Sequence, residues 1–277
     1  MTISIAYNGK MSEIDTPFLV EVASGRVPGA SVVRKYGQVT VQAGTGFRDV
    51  WEFGSDATGP YGDVDYAFPE DETAPITHFS SSDAGDTGAA VVCGLDVDGV
   101  YTEQAITLAG QTKTALTTPL WRCYRAYDAS ASSGAVIGEG LNGNFYVYED
   151  GAVTNGVPDD LSTVRTFIKA GSNQTLQSFF TIPAGKVGYL VWARSALAHK
   201  GTCSAIVQAW VRPYGYNFRL ADTGSVNSTG NSVFQEANSL LTMIPEKTDI
   251  IVRVDADTND STFTARFDIL LIDKAYL

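Results

Sequence analysis

Between Ser178 and Ala198 the chain reads SFFTIPAGKVGYLVWARSALA, an apolar run broken once, at Pro183-Ala184-Gly185-Lys186. A folded chain must bury such a run, and its residue types decide how. Phe179, Phe180 and Ile182 are aromatic or β-branched, which suits a pleated surface. Pro183 fixes φ and has no N–H, so the chain turns there and does not extend a ladder. Beyond the turn Tyr189, Val191 and Ala193 would point to one side, and Leu190, Trp192 and Arg194 to the other. Two strands therefore meet at this turn. With 27 glycines, and with turns in place of any 3.6-residue apolar period, the rest of the chain also predicts an all-β protein.

A length of 277 residues allows one large or two ordinary domains, and the pattern divides the chain into an arm and two sandwiches. In residues 1–74, Gly, Pro and Asp interrupt the apolar positions too often for a self-standing core, which predicts an extended N-terminal arm. Its Arg26-Val27-Pro28-Gly29 reads as a turn. Six aromatics between Phe47 and Phe68, among them Trp51, would anchor the arm on its own C-terminal domain or on a neighbouring chain. Residues 75–170 predict a β-sandwich. There Ala89–Leu95 and Tyr101–Leu108 flank the turn Asp96-Val97-Asp98-Gly99 as a hairpin, and residues 112–117 pair with 120–127. Residues 171–277 hold about eight strands at regular spacing, the pattern of a jelly-roll-like sandwich. Its last two strands, 249–254 and 263–272, read as a hairpin.

Charge and motifs exclude more than they propose. From Trp51 to Glu103 there are twelve acidic residues and no Lys or Arg, while the rest of the chain is neutral; a net charge of −12 argues against a partner recognised by its phosphates. Met1 to Asp15 lacks the basic-then-apolar order of a secretory leader, which predicts synthesis and residence in a cytosol, without a membrane partner. Cys93, Cys123 and Cys203 then read as buried thiols. Gly138-Glu139-Gly140-Leu141-Asn142-Gly143 matches a dinucleotide fingerprint in letters, but a strand-like stretch follows where a helix is needed. Asp255 to Asp260 resembles a calcium loop, yet it has Asp260 in place of the turn glycine and Arg266 in place of the bidentate Glu. His78 and His199 lack metal-ligand spacing, and no nucleophile elbow or triad is present. No catalytic, cofactor or metal site is expected. Trp51, Trp121, Trp192 and Trp210 would be sugar-stacking platforms only if exposed, and the last three lie in strand runs that read as core.

The segments Arg26-Val27-Pro28-Gly29, Val33-Arg34-Lys35-Tyr36-Gly37, Asp49-Val50-Trp51 and Tyr66-Ala67-Phe68-Pro69 resemble the N-terminal signature of structural proteins from tailed phages of aquatic bacteria. Gly94-Leu95-Asp96, Glu103 to Leu108, Phe180 to Lys186 and Phe267 to Asp273 are similar to that pattern in order and spacing. The sequence departs from it in the acidic stretch from Gly54 to Glu72 and in Tyr36, where Phe is usual. The resemblance implies a virion protein without cofactor or turnover: a capsid decoration or minor capsid protein on the outer surface of the head. Its partners would be the major capsid protein and copies of itself, as a dimer or trimer. Arg26, Pro28, Arg34, Lys35, Tyr36 and Trp51 would make those contacts. A tail, adaptor or fibre-base protein is the next reading. A carbohydrate-binding or receptor-binding protein using Trp51 or Trp121 is the reading of another class.

Overall fold

The computed structural model describes residues 6–7, 10–11, 18–54, 64–69, 73, 75–130, 140–229, 233–237 and 242–277. A short helix, α1 (Phe18–Ala23), leads into a turn at Val27–Ala30 that Gly29 closes at φ +70°. Fifteen strands follow that matter for function. They are β1 (Ala30–Val41), β2 (Ile76–Ser81), β3 (Ala89–Leu95), β4 (Tyr101–Thr107), β5 (Thr114–Leu120), β6 (Arg122–Asp128), β7 (Phe145–Glu149) and β8 (Val164–Ile168). After them come β9 (Phe179–Thr181), β10 (Lys186–Ala198), β11 (Thr202–Arg212), β12 (Arg219–Thr229), β13 (Val233–Ala237), β14 (Asp249–Ala256) and β15 (Ser261–Asp273).

Eight of these strands form a complete jelly roll. One sheet runs β13-β10-β15-β1 and the other β9-β14-β11-β12, with every pairing antiparallel. Counted along the chain, the first strand lies beside the eighth, the eighth beside the third and the third beside the sixth. The facing sheet takes the second, seventh, fourth and fifth. This is the double Greek key of a jelly roll. Its first strand, β1, falls in the stretch that reads as an arm in the sequence, and it pairs with β15 over twelve residues, from Ala30 opposite Ile272 to Val41 opposite Ser261. The remaining residues, 42–178, enter between the first and second strands. The sequence hides β1 because two of its buried alternate positions are Lys35 and Gly37, and only Val39 and Val41 advertise a core face. Gly37 is needed where it stands: a Cβ there would lie 2.4 Å from the Val50 carbonyl and 2.5 Å from the Ser178 amide.

The insertion is the second sandwich, with sheets β8-β7-β2-β5 and β4-β3-β6 around Ile76, Phe79, Val92, Leu120, Phe145 and Ile168. The β3–β4 hairpin forms as the sequence predicts. Asp96 accepts hydrogen bonds from the Asp98 and Val100 amides, and Gly99 takes φ +77°. Two other expected pairings do not form. β5 pairs with β2 and β6 with β3, because Trp121 alone separates them and the chain turns a corner between sheets. Likewise β14 and β15 lie in opposite sheets of the jelly roll. The turn at 183–186 carries the chain from β9 in one sheet to β10 in the other. A bulge between Leu190 and Trp192 shifts the register and resets the alternation expected for β10.

Beside that core, a second and larger one fills the jelly roll and reaches across the junction to the inserted sandwich. The aromatics near residue 50 fill it from within the chain: Trp51, Phe53, Tyr66 and Phe68 are all buried there, with Phe167 on one side and Phe179 on the other. The two halves are also clasped by charge. Arg122, on β6, donates from Nε and Nη2 to Asp249, on β14, at 2.9 and 3.1 Å, while Arg212 and Thr181 donate to the same carboxylate.

Candidate functional site

Strand register assembles a face that no single stretch of sequence displays. Cross-strand partners point to the same side of a sheet. Arg34 on β1 lies opposite Asp268 on β15, which lies opposite Trp192 on β10. In the next row Tyr36, Arg266 and Arg194 stand side by side. Arg34 reaches Asp268 through Nε and Nη2, both at 3.1 Å, and Arg266 reaches the same carboxylate at 3.3 Å. Burial acts to raise the Asp268 pKa, but the hydrogen bonds from Arg34 and Arg266 outweigh it and hold the carboxyl below its usual range. The Arg266 and Arg194 guanidiniums lie 4.7 and 5.8 Å from the Trp192 ring centroid. Three arginines, one aspartate and two aromatics thus form a net positive face on a chain of net charge −12. Large cationic and aromatic side chains of this kind carry most of the energy at protein interfaces.

The six residues singled out in the sequence divide into surface and core. Arg26 and Pro28 are exposed at the turn before β1, where Arg26 pairs with Glu21 at 3.2 Å. Arg34 and Tyr36 lie on the assembled face, the Arg34 side chain 59% exposed. Lys35 and Trp51 are corrections. Lys35 faces inward, one position out of phase with its neighbours, and Trp51 is 1% exposed in the central core, so neither offers a surface to another chain. Sequence reasoning missed Trp192, Arg194, Arg266 and Asp268. The i, i+2 repeats in β10 and β15 carry the signal that two of them share a face on each strand.

Lys35 is the most perturbed cation in this region. Its Nζ donates to the Tyr124 carbonyl, and it has no ion pair among the described residues. Burial, with a smaller push from Arg125, lowers its pKa to about 7. Below pH 7 it is charged in both folded and unfolded chains. Between there and the ordinary 10.5 only the unfolded chain keeps the proton, so stability should rise with pH, by at most ~1.4 kcal/mol per unit. Denaturant titrations from pH 6 to 10 should show this rise in the parent protein. In Lys35→Met the rise should vanish, with the gain over the parent largest at the acid end.

The other motifs have structural roles where they are described. Asp257 accepts from the Ser204 amide, Asn259 from the Ala43 amide, and Asp260 takes φ +54° at the loop between β14 and β15. Among the described residues no three His, Cys, Asp or Glu side chains gather as a metal site. Residues 138 and 139 of the glycine motif lie outside the described residues, as do Asp56, Asp63, Glu70, Asp71 and Glu72 of the acidic stretch. Cys93, Cys123 and Cys203 are buried free thiols. Trp51 and Trp121, which would be sugar platforms only if exposed, are 1% and 0% exposed.

No protein-family model matches the chain, and no curated protein matches it. Among solved structures it is similar to infectious bursal disease virus, Gt strain, at 11% identity and a TM-score of 0.24, over 95% of this chain and 79% of that one. It is also similar to the VP2 subviral particle of that virus, at 10% identity and a TM-score of 0.23, over 90% of this chain and 74% of the other. A third likeness is to TmCBM61 in complex with β-1,4-galactotriose, at 16% identity and a TM-score of 0.18, over 48% of this chain and 67% of that module. At such scores these likenesses are weak and identify neither family nor function.

Proposed function

We propose that this chain is a non-catalytic structural component of a virus particle, a decoration or minor capsid protein of a tailed bacteriophage. Its partners are the major capsid protein and further copies of itself, and it acts without cofactor, nucleic acid or membrane. The observation that carries this reading is the complete eight-strand jelly roll, which holds a second sandwich between its first two strands and presents an arginine-rich, aromatic outer face. A jelly roll serves capsids and lectins alike, so the face matters more than the fold. Repeated by symmetry, a modest contact through Arg34, Tyr36, Arg194 and Arg266 would stabilise a shell, because many weak interfaces act together. Arg26 and Pro28 extend this surface at the turn before β1.

Quantitative mass spectrometry of purified particles should give copies of this chain in simple proportion to the major capsid protein, on the outer surface of the head. A handful of copies per particle would move it to the tail or its connector, and absence would overturn the virion reading. A variant combining Arg34→Ser with Tyr36→Ser should keep the parent's melting temperature and bind particles at least about tenfold more weakly, as expected for interface arginine and tyrosine. Unchanged binding would remove the sheet face from the proposal.

A further inference from the structure

The edge of β1 opposite β15 runs beside the outer face of the β4-β3-β6 sheet, leaving a cleft of about 520 Å³ between the two sandwiches. That is the size of a small-molecule site. Four cationic side chains line it, Arg34, Lys35, Arg125 and Lys186, and no carboxylate does, in a protein that is acidic overall. Tyr101 and Tyr124, stacked on each other, contribute aromatic walls.

The cations differ in what they still lack. Arg34 is held by Asp268, and Lys186 by Asp273. Arg125 has no carboxylate within ion-pair range among the described residues and stacks on the Tyr127 ring at 5.0 Å. Lys35 is 5% exposed, yet its ammonium, which carries three donors, meets one acceptor, the Tyr124 carbonyl. Glu103, two strands across from Arg125, accepts from Tyr101 at 2.9 Å and from Tyr127 at 3.4 Å. Burial raises the Cys93 and Cys123 thiols, which keeps them neutral neighbours of the amine. A buried ammonium with no counter-charge is costly, and a bound anion would remove that cost.

We propose that this cleft binds a small molecule carrying an oxyanion, which sits between Lys35 and Arg125 with its body against Tyr101 and Tyr124. The site borders the outer sheet face at Arg34 but is formed by Lys35 and Arg125, which that face does not use, and it does not rest on the virion reading. Binding would hold Lys35 in its charged form, so the ligand and a proton bind together near neutral pH. Of the other groups around the amine, the hydrogen bond to Asp268 raises Arg34, the hydrogen bonds from Arg34 and Arg266 hold Asp268 below its usual range, and burial raises the Tyr101 and Tyr124 hydroxyls; Arg125, Lys186 with Asp273, and Glu103 complete the charged surroundings.

The test is isothermal titration of the full chain with sodium glucuronate and sodium sulfate, with glucose as the uncharged control, at constant ionic strength. Glucuronate should bind at pH 6 and about tenfold or more weakly at pH 8.5, with proton uptake visible as a dependence of heat on buffer. Glucose should not bind. Tighter binding of glucuronate than of sulfate is expected; sulfate binding as tightly would overturn the placement of a ligand body against the aromatic walls and leave an inorganic anion as the ligand. Lys35→Met and Arg125→Ala should each weaken binding by about tenfold or more. Arg125 is exposed, so its removal leaves the core intact and keeps the test open if the Lys35 variant misfolds. No saturable binding of either anion at pH 6, affinity for glucose equal to that for glucuronate, or unchanged affinity in Arg125→Ala would overturn the proposal.

Discussion

Replacing Asp249 by alanine should destabilise the protein by about 3–5 kcal/mol, the cost of leaving a buried charge without its partner. The carboxylate is 2% exposed and accepts from Arg122, Arg212 and Thr181. The Arg122 side chain is 3% exposed, so solvent cannot take over when the carboxylate is lost. Its Nη1 would keep the Pro69 and Trp121 carbonyls, at 2.6 and 3.2 Å, which satisfy hydrogen bonds but do not neutralise charge. Arg122 belongs to the inserted sandwich and Asp249 to the jelly roll, so the loss should loosen their junction as well as lower the midpoint of denaturant unfolding. The double variant Arg122→Met with Asp249→Leu should recover much of the stability, since apolar replacement of a buried pair is often neutral or better. A loss below about 1 kcal/mol in Asp249→Ala would mean that the cluster is screened as a surface pair is.

The clasp shows where sequence reading stops. Asp249 and Arg122 are 127 residues apart, and nothing local to either announces the other. What was legible is what a short stretch determines: the β3–β4 hairpin with its Asp-Gly turn, the turn at Pro28 and Gly29, the break at Pro183. The jelly roll was legible as a class, from strand count and spacing, but its topology was not. Apart from the β11–β12 hairpin, its sheets pair strands that are not consecutive in the chain, and the β1–β15 pairing joins residues more than 200 positions apart. The same holds for the contact face. Arg34 and Tyr36 could be named because they fall in the segment Val33-Arg34-Lys35-Tyr36-Gly37 that carries the resemblance, not because a strand was legible there. Arg194, Arg266 and Asp268 come beside them only through register, and Lys35 sits among them in sequence while pointing the other way.

Trp51→Ala should cost about 3–5 kcal/mol in the isolated chain, the range for truncating a buried aromatic. The indole packs against Phe53, Tyr66 and Phe179, with ring centroids 5.1, 5.3 and 5.9 Å away, and donates from Nε1 to the Val64 carbonyl at 3.0 Å. Its removal would leave a void at the meeting point of the two sandwiches, and the rings around it come from the segment leading into the insertion and from the jelly roll, so no single loop can close the gap. This expectation separates two roles for the residue. A contact residue would lower particle binding and leave the unfolding of the free chain unchanged. A core residue would shift the unfolding midpoint of the free chain in the absence of any partner, and Trp51→Phe, which keeps a ring but loses the hydrogen bond, would shift it less. Equal stability of Trp51→Ala and parent in denaturant titration would refute the core placement. The same geometry bears on deletion of residues 1–74, which the sequence treats as a separable arm. That deletion takes away both Trp51 and β1, so it strips the jelly roll of its first strand, bares the β15 edge and should leave the remainder unable to hold its fold.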